Sequence, residues 1–340
     1  MNFASDNAQP ACPEIRAAVE AAAEGPAMPY GNDPWTERAV AAVRDTFAAP
    51  HAEVRLVATG TAANALGLSL LTPPYGAVYC HPEAHVYEDE CAAPEFFTGG
   101  AKLIPLPDRA GKVAADDLAA LLAVPQRGVH HAPHAALTLT QATEYGLVYG
   151  VDEVATLAGL CHDHGLAVHM DGARLGNALI STHAKAADMT WKAGVDVLTF
   201  GLTKTGAIGC EIIILFGRAR TKYADLKARA KRSGHMPAKM RFIAAQARAM
   251  LDGGLWLELA EHANAMAADL ADVFTGAGFD LAYPVDGNEV FPLLPDDAAK
   301  RLRKAGALFY PWADNSSRFV CAWSTGPEDI AAVRAALAAG

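Results

Sequence analysis

The feature that most restricts this chain is a rhythm between residues 53 and 216, where short apolar runs alternate with helix-patterned segments. The runs at 53–59 (EVRLVAT), 77–82, 101–107, 135–141, 167–171, 196–202 and 211–216 read as strands, and 60–71, 116–123 and 151–164 read as helices. Apolar strands separated by helices build an α/β domain whose largely parallel sheet is covered on both faces. Ahead of this region, 14–24 and 36–48 carry Ala-rich helical spacing around the turn-rich PAMPYGNDP. Beyond residue 217 the chain reads as helical over 221–232, 240–251 and 255–277, and then as short strands and helices, among them LAYP, EVFPLL, ALFYPW and RFVCAWS. A chain of 340 residues exceeds what one hydrophobic core usually grows to. The expected division is an arm with two helices over 1–50, a large domain over 51–240 and a small α+β domain over 241–340.

Charge and cysteine content narrow the function. A net charge of −10 leaves no basic footprint for nucleic acid and disfavours an anionic membrane surface. The six cysteines are scattered, without a C-x-x-C pair or a zinc-like His/Cys cluster. They read as free thiols in a reducing cytosol, and no metal site is expected. The N-terminus has no apolar signal segment, and no apolar stretch is long enough to span a bilayer. A cytoplasmic protein acting on a small molecule is the expectation.

Four strand-end features carry possible chemistry. Thr59-Gly60-Thr61 follows a strand and opens a helix, where free N–H groups and the helix dipole favour a phosphate. Taken alone, an ordinary helix cap is the commoner meaning. Asp171, in HMDGAR, ends a buried strand, the end at which open α/β sheets bind ligands. It suits a protonated ring nitrogen, and an ion pair with Arg174 is an equally simple alternative. Lys204 stands just past an apolar strand in TFGLTKTGA. An amine in apolar surroundings deprotonates more readily and forms Schiff bases, whereas a surface loop lysine does not. Arg318 opens a late strand and suits a carboxylate, although most arginines only solvate a surface.

In combination these parts say more than each alone. Phosphate cap, strand-end Asp, strand-end Lys and late Arg stand in the order found in fold-type I pyridoxal-phosphate (PLP) enzymes, which are aspartate-aminotransferase-like. The phosphate needs donors, the ring nitrogen an anion, the aldehyde an amine and an amino-acid substrate a cation. The chain resembles the low-specificity L-threonine aldolase family of that group over nearly its whole length. The motifs that carry the resemblance include FASDN (3–7), PYGNDPWT (29–36), ATGTAANAL (58–66), EAHVYEDECAAPEFF (83–97), HMDGARLGNAL (169–179), FGLTKTGAIGCE (200–211) and SSRFVCAW (316–323).

The resemblance implies a PLP-dependent lyase that cleaves L-β-hydroxy-α-amino acids to glycine and an aldehyde. It implies Lys204 as the Schiff-base residue, Asp171 at the pyridine nitrogen, and Gly60 and Thr61 at the phosphate. Arg318 would anchor the substrate carboxylate, with Arg174 and Ser5 beside it. His85 would stack on the ring and face the β-hydroxyl as the expected base, with Tyr30 near the substrate. Arg232 and Arg241 match a basic stretch that reaches the phosphate, in part from a neighbouring subunit of a homotetramer built as a dimer of dimers. Many relatives carry a second active-site histidine after the strand at 135–141. This chain reads TLTQATEYG there, with Gln141 and Thr143 instead. A β-eliminating lyase on the same scaffold, and a catalytically silent PLP-fold binding protein, are the competing functions.

Overall fold

The computed structural model describes residues 1–312 and 315–338. Seven strands form its main sheet: β1 (Glu53–Val57), β2 (Ala77–Cys80), β3 (Lys102–Pro105), β4 (His134–Thr140), β5 (Ala167–Gly172), β6 (Val197–Gly201) and β7 (Glu211–Leu215). Their order is β1-β7-β6-β5-β4-β2-β3. All neighbours are parallel except β7, which is antiparallel to both β1 and β6. The expected α/β architecture with a mostly parallel sheet is therefore the observed one.

Strand periodicity explains how one sheet serves two cores. Side chains alternate across a strand, so consecutive residues face opposite layers. On β7, Ile212 and Ile214 join the larger core, whereas Ile213 and Leu215 join the core on the opposite face. The helix Gly60–Leu71 packs on that second face with Ala62, Ala63, Leu66 and Leu70. Gly67 lets it approach closely, because a Cβ there would lie 3.2 Å from Val197 and 3.3 Å from His169. The larger core receives the helices Pro13–Ala23, Pro34–Thr46, Val151–Asp163 and Arg241–Leu251.

A second, antiparallel sheet orders β8 (Glu289–Val290), β10 (Ser317–Val320) and β9 (Tyr310–Pro311) as β8-β10-β9. Its core gathers Phe3, Phe274, Val290, Phe309 and Phe319 beside the helices Leu255–Gly276, Asp296–Lys304 and Pro327–Ala338. The N-terminal arm runs into this core: Phe3 N–H donates to Leu308 O at 2.9 Å, and Val320 N–H donates to Phe3 O at 2.9 Å. The expected LAYP strand forms only an isolated bridge, Leu281 to Pro292. Pro284 within the run, lacking an N–H, cannot extend a ladder.

Candidate active site

Parallel strands bring their carboxyl ends to one edge, and register decides which residues meet there. Thr140 on β4 pairs with Asp171 on β5, which pairs with Thr199 on β6. Because β7 runs the other way, its first residue, Glu211, reaches the same edge opposite Gly201 and Val57. The edge opens into a cavity of about 340 Å³ lined by Thr59, Gly60, Thr61, Asn64, His85, Asp171, Arg174 and Lys204, among others. Its size lies at the small end of ligand pockets.

At one end of the cavity the helix Gly60–Leu71 begins. Thr59 caps it by accepting from Ala62 N–H at 3.2 Å. A Cβ built on Gly60 meets nothing within 4 Å, so the first helical turn presents open space to an anion.

Asp171 lies beside this helix, and it is buried. Its Oδ1 accepts from Ala173 N–H at 3.0 Å and its Oδ2 from Asn64 Nδ2 at 2.7 Å. Asp171 is thus held by backbone and amide donors and not by Arg174. A carboxylate accepts about four hydrogen bonds, so capacity remains for a ring N–H. Asn64 also donates to Glu90 Oε1 at 2.8 Å, and His85 Nδ1 donates to the same oxygen at 2.9 Å. That bond to Glu90 is the chief cause holding His85 above its usual value; burial opposes it, and Asp171 and Glu144 add to it. Burial pushes Glu90 upward against the same two donors. An oxygen that accepts two donors behaves as a charged carboxylate, so the raised imidazole is the direction the geometry supports. Behind Asp171 on β5, His169 is clamped between Thr138 and Thr199, and burial lowers it to about 4.

Lys204 follows β6 and lines the cavity, with no hydrogen bond or ion pair among the described residues. Beside it Glu211 is buried and accepts from Thr203 Oγ1. Burial pushes Glu211 up to about 7, against that bond and the charge of Lys204.

Arg174 is arranged differently. It forks onto Asp6, Nε to Oδ2 at 2.8 Å and Nη2 to Oδ1 at 3.2 Å, and its Nη1 lies 3.5 Å from Glu289 Oε2. Burial alone would raise Asp6, but Arg174 and Lys204 outweigh it and hold it below the usual range. Burial pushes Glu289 up to about 7, and Arg174 and Arg318 only partly offset this.

The other expected residues sit outside the cavity lining. Ser5 accepts from Asn7 N–H at 3.1 Å and caps the turn that carries Asp6. Arg318 lies 4.6 Å over the Trp312 ring and, among the described residues, makes one long bond, 3.5 Å, to Ala4 O. Tyr30 is exposed under Lys231, and Arg241 Nη1 donates to Gly25 O at 2.9 Å. Arg232 lines a separate surface cavity with Arg229 and Lys222. Asn64, Glu90, Glu144, Glu211, Asp6 and Glu289 stand in or next to the site without having been singled out from sequence.

Known proteins share the sequence and the fold of this chain. Residues 2–296 match the Beta-eliminating lyase family. A low specificity L-threonine aldolase of Pseudomonas sp. (strain NCIMB 10558) is 40% identical over 325 residues, 95% of this chain and 93% of that protein. The structure of Leishmania major threonine aldolase superposes with a TM-score of 0.93 at 26% identity, covering 99% of this chain and 98% of that one. At fold level, a serine palmitoyltransferase from S. paucimobilis with bound PLP matches with a TM-score of 0.72 at 15% identity, covering 100% of this chain and 86% of that one.

Proposed function

The chain belongs to the beta-eliminating lyase family and within it to the low-specificity L-threonine aldolases, and we propose that it cleaves L-β-hydroxy-α-amino acids of the threonine, allo-threonine and phenylserine type to glycine and an aldehyde. The observation that carries the reading is the meeting of three parts at one sheet edge: an open helix N-terminus, a carboxylate with spare acceptor capacity, and an unpaired lysine. Pyridoxal 5'-phosphate, the cofactor of this family, supplies an aldehyde for the lysine and a ring that withdraws electrons from the bond to be broken.

In this reading Lys204 carries the cofactor through its amine. Gly60 and Thr61 offer N–H groups to the phosphate, and Asp171 holds the ring nitrogen. His85 stacks on the ring and faces the β-hydroxyl. Arg318 anchors the substrate carboxylate, with Arg174 and Ser5 behind it; the commitment of Arg174 to Asp6 supports Arg318 as the main anchor. Holding the carboxylate and amine at fixed points sets which bond of the α-carbon breaks, a positioning effect. Tyr30 stands near the substrate, and Arg232 and Arg241 belong to a basic stretch that reaches the phosphate, in part from a neighbouring subunit of a homotetramer, a dimer of dimers, in the cytoplasm. Among the described residues no helix is long and apolar enough to cross a membrane.

A panel of β-hydroxy amino acids, both β-epimers of each, scored for glycine release tests the proposal. Glycine and an aldehyde are expected. Pyruvate and ammonia would replace the reading with β-elimination, and no product from any substrate would point to a silent binding protein.

A further inference from the structure

The loop after β4, where the family resemblance implies a second histidine, reads Gln141-Ala142-Thr143-Glu144. Gln141 is spent on the backbone: its Nε2 donates to Tyr149 O at 2.8 Å and its Oε1 accepts from Tyr149 N–H at 3.0 Å. Thr143 is spent as well, since its Oγ1 accepts from Leu147 N–H at 3.2 Å. The two residues expected to replace that histidine therefore structure the loop.

Glu144 is the residue this loop turns toward the chemistry. It is only 9% exposed, and it lines the cavity with His85, Asp171 and Lys204. Its carboxylate has no hydrogen bond or ion pair among the described residues. Its oxygens are not sealed in the protein but open to the cavity, so they stay available to a ligand there. The charged groups around it are Glu83, His85, Arg174 and Glu289. The imidazole of His85 is tied through Nδ1 to Glu90, which fixes the ring in the same wall.

We infer that Glu144 accepts the proton of the substrate's β-hydroxyl, and that this carboxylate is what makes the cavity selective for β-hydroxylated amino acids. The inference rests on the aldolase reading. The step balances as follows. An O–H bond forms at Glu144 and the O–H bond of the β-hydroxyl breaks. The freed oxygen pair becomes the second bond of the aldehyde carbonyl as the Cα–Cβ bond breaks. The Cα–Cβ pair stays with the glycine fragment, whose α-carbon takes one proton from solvent, and Glu144 returns its own proton to solvent.

Holoenzyme carrying Glu144→Gln, nearly isosteric with wild type, tests this with two readouts. One is glycine release from L-threonine. The other is exchange of the glycine α-proton in heavy water, which needs Lys204 and the cofactor but no β-hydroxyl. The expected result is a fall in kcat for cleavage of about 10²–10⁴-fold, the usual worth of a general base, with KM changed less than about threefold. Glycine exchange should stay within about threefold of wild type. Cleavage that survives near the wild-type rate overturns the inference. Parallel loss of cleavage and exchange also overturns it, by assigning Glu144 to loop architecture. Wild-type enzyme that exchanges glycine but releases none from any β-hydroxy amino acid sinks the aldolase reading instead.

Discussion

Asp171 and Arg174 stand three residues apart and line the same cavity, yet their charges are handled in opposite ways. Asp171 is held by one backbone and one amide donor, which orient the carboxylate and leave it acceptor capacity. Asn64, Glu90 and His85 extend that wall as a chain of hydrogen bonds with a raised imidazole at its end. Arg174 is already met inside the protein by Asp6 and Glu289. Those partners come from the N-terminal arm and from β8, so this guanidinium clamps the arm and the small sheet to the start of the helix Leu175–Thr182. One wall keeps its polar capacity for a ligand, whereas the other spends it on architecture. The half-buried Arg318 is stacked on Trp312 and, among the described residues, makes one long hydrogen bond and keeps donors to spare.

The contrast between the arginines gives the largest expected effect. Arg174→Ala leaves Asp6 and Glu289 buried without their cation, and loss of one partner of such a pair costs about 3–5 kcal/mol. Chemical denaturation should show that loss directly. Arg318→Lys removes the fork but not the charge, so it should raise KM for L-threonine about 10–100-fold with a nearly unchanged denaturation midpoint. Equal stability losses in the two variants, without a KM difference, would erase the distinction between the walls.

Glu211 offers a smaller and pH-dependent effect. Burial raises its carboxyl from 4.5 to about 7. A carboxyl raised in the folded state contributes its full stability below the unfolded value and loses it as pH climbs through about 7. Glu211→Gln, which cannot ionise, should gain melting temperature relative to wild type between about pH 5 and about pH 8. A difference that does not vary with pH would exclude titration of Glu211 from the stability of this wall.

What the sequence made legible follows from how local each signal is. The strand–Thr59-Gly60-Thr61–helix unit, the Asp next to the end of β5 and the Lys past β6 are all written in contiguous residues, and the parallel sheet brings them together. Glu211 was hidden because strand direction is not local: only the antiparallel run of β7 carries its first residue to the shared edge. Asn64 meets Asp171 from a helix far earlier in the chain, and Glu90 joins through Asn64 from a loop. The helices His85–Glu88, Ala93–Thr98 and Leu175–Thr182 have eight residues at most, too short to show an amphipathic period. Glu144 stood one residue beyond the Thr143 that drew attention, and backbone geometry alone decides which of the two faces the cavity.

The most direct test of the site is chemical mapping of the cofactor. Holoenzyme reduced with borohydride and digested should carry its pyridoxyl group on the peptide containing Lys204, and Lys204→Ala protein should carry none. A pyridoxyl group on any other lysine, or none on wild-type holoenzyme, would contradict a site assembled from Lys204 and Asp171 at the edge of this sheet.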